Sequence, residues 1–244
     1  MLVTEVLPRT LRTLDPESDE GLEAIAEIYR PAAGVRVRMN MVTGLTGSAV
    51  GEDGTSDTLT SPTDRAILKT IRSAADAVVV GAQTVRAEGY VLPRSATLAI
   101  VTASGDLSGH RLGPDASRRA LIVCPRGRES EVARRTAALG APVVGVDSAG
   151  AHLTPDEILG ALAERGLRSV VCEGGTSLAS AFLGAGAIDE ACVSVAPALT
   201  PSSGPFVDLS ERAELVVTGM LVDEAGFSYL RLGRNPGRAP SPSA

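Results

Sequence analysis

Residues 170–183 read VVCEGGTSLASAFL, and the way this stretch divides into elements decides the fold. Two valines and a cysteine run into Glu173, two glycines follow, and an apolar pattern of helical period runs from Leu178 through Ala181, Phe182 and Leu183. That order predicts a strand, a tight turn and a helix. The free N–H groups and positive dipole end of the helix would face the turn, where glycines let an anion come close to the backbone. A phosphate site and an ordinary strand-to-helix connection both fit these residues. The G-x-G-x-x-G fingerprint of a standard dinucleotide turn is absent from the stretch.

The same alternation extends outward in both directions. Upstream, VRVRMNMV (35–42) reads as a strand, SPTDRAILKTIRSA (61–74) as a helix and AVVVG (77–81) as a strand. Ser61 as N-cap, Pro62 at the first helical position and Asp64 in the first turn form a strong helix start. TLAIVT, ALIVC and PVVGV read as further strands, SEVARRTAAL as a helix, and Thr154 with Glu157 as a capping box opening another helix. Downstream, EACVSVAP is a strand, and residues 214–233 read as two strands flanking Asp223 to Gly226, a hairpin. Alternating β and α predict a three-layer αβα fold with a mainly parallel mixed sheet, and the C-terminal hairpin adds antiparallel strands.

Residues 1–34 are expected to form a helical extension, with Leu22, Ile25, Ile28 and Tyr29 sharing one face of SDEGLEAIAEIYR. A Pro-, Gly- and Ser-rich tail, 233–244, is expected to be disordered, leaving 35–232 as the main domain. The 244 residues suffice for one large core, built from aliphatic side chains because aromatics make up only 2%. A net charge of −6 argues against nucleic acid or an anionic membrane as partner, so an anionic ligand must meet a local cluster. Cys124, Cys172 and Cys192 lie in separate apolar runs and read as buried thiols, and His110 and His152 lack metal-site spacing. Neither a signal peptide nor a membrane span is legible, so the expected location is cytoplasmic.

Ligands of parallel α/β sheets bind beyond the carboxyl ends of the strands. Three segments fall there: the long polar loop NMVTGLTGSAVGEDGTSDTLTS (40–61), GAQTVRAEGYVLPR (81–94) and EGGTS (173–177). A loop as long as the first is usually functional or disordered. Together and in this order, NMVTGLTG, SPTDRAILKTIRSAADAVVVGAQTVRAEGY and VVCEGGTSLASAFLGAGAIDEACVSVAPAL resemble the riboflavin-pathway pyrimidine reductases, the C-terminal half of the bifunctional deaminase-reductase. The resemblance covers roughly residues 35 to 232. It implies a dihydrofolate-reductase-like fold, a homodimer, and NADPH-dependent reduction of the ribosyl group of a phosphorylated ribosylamino-pyrimidine. The H-x-E and P-C-x-x-C signature of the zinc deaminase does not occur, so a stand-alone reductase is expected.

Carried over by position, the resemblance implies that Val42, Thr58, Thr84, Glu88, Ser104 and the run Gly175, Thr176, Ser177, Leu178, Ala179, Ser180 and Ala181 hold the dinucleotide. Ser56, Arg72, Leu92, Arg94 and Glu173 match substrate positions, with Glu173 the one candidate for a catalytic role. Two arginines could hold the substrate phosphate, while a surface ion pair or a helix C-terminal charge is the alternative reading of Arg72. One departure stands out: where the family reads S-x-D-G, this chain has Gly44 in place of Ser and Thr46 in place of Asp. Threonine carries no charge and is no useful acid, so a changed substrate or chemistry is expected at that loop. A reductase of another small carbonyl, imine or dihydropterin, or a dinucleotide sensor without turnover, are the alternatives.

Overall fold

The computed structural model describes residues 1–201 and 204–234. In chain order the elements are β1 (Val3–Leu7), β2 (Thr13–Leu14), α1 (Asp19–Ile28), β3 (Val37–Gly44), α2 (Pro62–Ser73), β4 (Ala77–Gly81), α3 (Ala82–Ala87) and β5 (Thr97–Val101). They continue with α4 (Ala116–Arg119), β6 (Ala120–Pro125), α5 (Glu129–Arg135), β7 (Val143–Val146), α6 (Pro155–Ala163) and β8 (Val170–Cys172). The last are α7 (Thr176–Gly184), β9 (Glu190–Ala196), β10 (Leu215–Asp223) and β11 (Ser228–Arg234). All strands join one 11-stranded sheet in the order β2-β1-β10-β11-β9-β3-β8-β4-β5-β6-β7. From β9 to β7 the pairing is parallel, and from β9 to β2 every pairing is antiparallel.

Strand β4 shows why the fold is three-layered. Alternate side chains point to opposite faces, so Val78 and Val80 join one core with Ile25, Ile67, Ile71 and Val85, while Ala77 and Val79 join another with Ile158, Leu162 and Phe182. Helices α1, α2, α3 and α5 thus cover one face, and α6 and α7 the other. The expected helix starts are present: Ser61 Oγ accepts the Asp64 N–H at 3.0 Å, and Thr154 with Glu157 forms the capping box. The hairpin is present too, with Glu224–Phe227 joining β10 to β11.

The N-terminal segment departs from the expectation of a helical extension. It holds α1, but also β1 and β2, and β1 pairs with β10 to continue the sheet. β2 has only two residues, and the sequence of β1, VTEVL, places the buried Glu5 where an alternating strand would carry an apolar residue. The buried face of α1 is also shifted: Ile25 and Tyr29 are buried with Gly21 and Ala24, while Leu22 is exposed. Gly21 is required there, because a Cβ would stand 1.8 Å from the Asp15 carbonyl oxygen. Gly233 and Arg234, assigned to the tail, instead end β11, and the rest of the tail lies outside the described residues.

Helix α1 has no basic residue in its last turn, and the sheet supplies that function. Arg38 Nη1 donates to the Tyr29 carbonyl at 2.9 Å, and Arg231 Nη1 donates to the Ile28 carbonyl. Glu190 lies between the two guanidiniums, accepting from Arg38 Nε at 2.6 Å and from Arg231 Nε at 3.1 Å. Two cations at the negative end of a helix dipole, joined by one carboxylate, fix α1 on the sheet.

Candidate active site

The carboxyl ends of β8 and β4 lie close together, and β3 runs on beside them to Gly44. Cys172 pairs with both Met39 and Val79, the Glu173 N–H donates to the Val79 carbonyl at 3.0 Å, and the Gly81 N–H donates to the Gly174 carbonyl at 2.8 Å. Above these ends opens a cleft of about 1350 Å³, reaching from α2 across the glycine turn to Ser104, Pro125 and His152. Such a space exceeds the roughly 300–1,000 Å³ of a pocket for one small ligand, and so has room for two.

The glycine turn admits only glycine. Gly174 has φ +76°, and a Cβ there would stand 2.8 Å from Met41 Sδ. Gly175 has φ +33°, and its Cβ would stand 2.7 Å from Thr84 Oγ1, a hydroxyl on α3. Gly175 is also the N-cap of α7 and offers no side-chain cap. The Thr176 and Ser177 amides find no hydrogen-bond partner among the described residues and lie on the cleft wall. A backbone that approaches closely, carries bare N–H groups and sits at a helix start fits a dinucleotide diphosphate.

Across the cleft is a charged cluster. Glu173 receives a two-pronged ion pair from Arg72, Nε to Oε1 at 2.7 Å and Nη2 to Oε2 at 2.6 Å. Tyr90 OH donates to Glu173 Oε2 and accepts from Arg72 Nη2 at 2.8 Å, and the guanidinium lies 5.1 Å from the tyrosine ring centre. Burial opposes the charge on Arg72, but the hydrogen bonds and charge of Glu173 outweigh it and hold the guanidinium above its ordinary range. Burial, and then the Glu173 charge, push the Tyr90 phenol well above its usual value. Tyr90 therefore stays a neutral donor. Arg72 Nη1 remains without a protein partner among the described residues.

Beside this cluster, in the first turn of α2, Asp64 lines the cleft while only 6% exposed. Its Oδ1 accepts the Ser194 hydroxyl at 2.5 Å. Burial pushes the carboxyl up to about 6, with Ser194 and Arg65 pulling against it and the Glu173 charge adding to it.

The cleft gathers most of the sequence-derived residues: Val42, Thr84, Glu88, Ser104, Gly175, Thr176, Ser177, Leu178 and Ala181 line it, as do Ser56, Arg72 and Glu173. Several have partners that limit what they can do. Glu88 accepts both the Ser56 N–H at 3.0 Å and the Ser56 hydroxyl at 2.8 Å, so the pair ties the long loop to α3. The Thr176 hydroxyl donates to the Pro205 carbonyl, and the Ser180 hydroxyl donates to the Thr176 carbonyl at 2.6 Å while accepting the Asp208 N–H at 2.7 Å. These two hydroxyls hold the 205–208 segment against α7. Ala179 is buried beneath the turn, and Leu92 packs on the core.

Of the expected positions, Thr58 and Arg94 lie off the cleft wall, as do Leu92, Ala179 and Ser180. Thr58 is exposed and 3.4 Å from Asp53, and Arg94 is exposed. Thr46 is exposed as well, its hydroxyl 3.3 Å from that of Thr200. At Gly44 a Cβ would stand 3.0 Å from the Ala198 carbonyl oxygen, which explains glycine where the family carries serine. The expected pair of phosphate-binding arginines is thus not assembled, because Arg72 lines the cleft and Arg94 does not. Arg65, which lines the cleft with an exposed side chain, is a cation that the sequence reading passed over. In sequence Asp64 reads only as a helix-start acid, and Tyr90 only as the end of a motif. The distant Ser194 and Glu173 give both their meaning, and no local pattern contains those contacts.

The RibD C-terminal domain family matches residues 35–215. The chain belongs to this family. Among solved structures, a pyrimidine reductase-like protein from Corynebacterium diphtheriae superposes with a TM-score of 0.72 at 24% identity, covering 86% of this chain and 98% of its own. The riboflavin biosynthesis reductase Rib7 of Saccharomyces cerevisiae gives a TM-score of 0.64 at 16% identity, over 87% of this chain and 98% of that one. A bifunctional deaminase/reductase from Thermotoga maritima gives 0.66 at 20% identity, and the match spans 82% of this chain but 57% of that one. No curated protein matches the chain. At these identities the superpositions establish the shared fold, and family membership establishes an oxidoreductase of the riboflavin-reductase type. No helix among the described residues is long and apolar enough to cross a membrane.

Proposed function

We propose that this chain is an NADPH-dependent reductase that delivers hydride to the ribosyl group of a phosphorylated ribosylamino-pyrimidine. The observation that carries the reading is a cleft with two chemically distinct walls, one of bare backbone amides at Gly175–Ser177 and one of charged and phenolic side chains at Arg72, Tyr90 and Glu173. The first wall suits the diphosphate of a dinucleotide. On the second, Arg72 Nη1 and the exposed Arg65 suit a phosphorylated sugar. Substrate and cofactor would then meet above the ends of β4 and β8, where positioning supplies much of the catalysis. Following NADPH absorbance with the purified chain tests this. Loss of absorbance that requires the ribosylamino-pyrimidine phosphate supports the reading, and NADPH binding by calorimetry without any turnover would favour a dinucleotide-binding protein instead.

A further inference from the structure

Among the described residues five carboxylates line the cleft, and four are unavailable for proton transfer near its floor. Asp57 and Asp208 are exposed, Glu88 is tied to Ser56, and both oxygens of Glu173 are held by Arg72 and Tyr90. The fifth is Asp64. It is more than nine-tenths buried on the cleft wall, and the Ser194 hydroxyl on Oδ1 is the one side-chain hydrogen bond its carboxyl makes among the described residues. Its second oxygen is left for a ligand.

We propose that Asp64 is the acid of the reaction, giving its proton to the substrate nitrogen next to the carbon that receives hydride. The inference rests on the reductase reading above. A ribosylamine opens to a C=N bond, and hydride with its electron pair, drawn from the reduced nicotinamide, then bonds to the ribosyl carbon. The C=N π pair moves onto nitrogen and takes the proton from Asp64, so imine becomes amine and the carboxylate left behind is reprotonated by water. Burial holds a fraction of Asp64 protonated near neutrality, as a general acid requires. The charged and titratable groups around it are Arg65 on its own helix, Glu173 beyond β8, itself neutralised by Arg72, and Tyr29 of α1, whose phenol feels the Asp64 charge. Ser194 on β9 is a positioning residue that steadies the charged form.

The test uses the full chain with NADPH and the ribosylamino-pyrimidine phosphate. Wild-type kcat should hold level at low pH and fall about tenfold per pH unit above about 6. Asp64→Asn should lower kcat by ~10²-fold or more, remove that limb, and leave NADPH affinity within about twofold. A second readout needs no turnover: carbon NMR should show one carboxyl titrating near 6, absent from Asp64→Asn. Ser194→Ala should move that midpoint and the kinetic limb together to higher pH, which a structural role for Asp64 would not produce. An active wild type whose rate and pH limb survive Asp64→Asn would overturn the assignment of Asp64 alone. A wild type that binds NADPH and never oxidises it with this substrate would overturn the reductase reading, and the inference with it.

Discussion

The molecule contains two clusters built from the same parts, and they do different things. At the amino ends of β3 and β9, Glu190 lies between Arg38 and Arg231, with Arg231 5.6 Å from the ring centre of Tyr29. At the carboxyl ends of β8 and β4, Glu173 is clasped by Arg72, with the guanidinium 5.1 Å from the ring centre of Tyr90. In the first cluster Arg38 is 3% exposed, and its Nε, Nη1 and Nη2 bond to Glu190, the Tyr29 carbonyl and Cys192 Sγ. In the second, Arg72 is 18% exposed and keeps Nη1 without a protein partner. A saturated cluster holds a helix in place. An unsaturated one at a cleft can bind something.

The largest effect should come from breaking the saturated cluster. Arg38→Ala leaves Glu190 with one buried cation and the Tyr29 carbonyl without its cap, a loss of about 3–5 kcal/mol in denaturant unfolding. NADPH affinity per folded molecule should be unchanged, because Arg38 does not line the cleft. Arg72→Ala should lower stability less and instead raise the substrate KM. Equal destabilisation by the two substitutions would break the comparison.

Asp64 sharpens it through pH. The folded chain holds this carboxyl at about 6 against an ordinary 3.8. A raised carboxyl contributes stability below the lower value and loses it as pH rises through the higher one. At about 1.4 kcal/mol per pH unit the gap corresponds to ~3 kcal/mol. Relative to wild type, Asp64→Asn should therefore be more stable at pH 8 than at pH 4 by a difference of that order, measured by urea unfolding at the two values. A constant offset at both would mean that Asp64 does not titrate as a desolvated acid. A substitution that stabilises the fold while removing turnover marks a residue kept for chemistry.

The glycine turn gives the next effect. Gly175→Val puts a branched side chain 2.7 Å from Thr84 Oγ1, in a φ of +33° that L residues rarely adopt. The bare amides of Thr176 and Ser177 would be displaced, and NADPH binding should weaken by about 1–3 kcal/mol, the worth of a charged hydrogen bond. Calorimetry on a folded variant with unchanged affinity would remove the dinucleotide from this turn.

The parallel half of the molecule was legible because each of its elements signals itself locally. β4 is a run of valines, α2 has its Ser61 cap and Pro62, and the Gly174–Gly175 pair ends a strand and opens a helix. The antiparallel edge was read less well. β1 and β2 are short, and they are strands because β1 pairs with β10 and β2 with β1. The site divides in the same way. Its glycines were visible as turn residues, whereas Asp64 looks like any first-turn acid until Ser194, 130 residues away, meets it. Arg72 and Glu173 were each placed at the cleft from sequence, and their ion pair was not, because a separation of 101 residues leaves no periodic trace.

The smallest expected effect concerns the residue whose identity departs from its family. Thr46 replaces an Asp, and on sequence alone that exchange removes a charge from a loop beside the cofactor. In the structure Thr46 is exposed, its hydroxyl faces Thr200, and it is not part of the cleft wall. The adjoining Gly44 packs against the Ala198 carbonyl, and the Leu45 N–H donates to it, so contacts to the 198–200 segment hold the turn. Thr46→Asp should then change kcat/KM on the ribosylamino-pyrimidine by less than about threefold, as surface substitutions commonly do. If Asp64 already supplies the proton, a second acid at this distance from the cleft wall has no proton to move. A gain of ~10²-fold would show instead that the loop closes over the substrate during reaction, and that this chain works below the rate its own cleft allows.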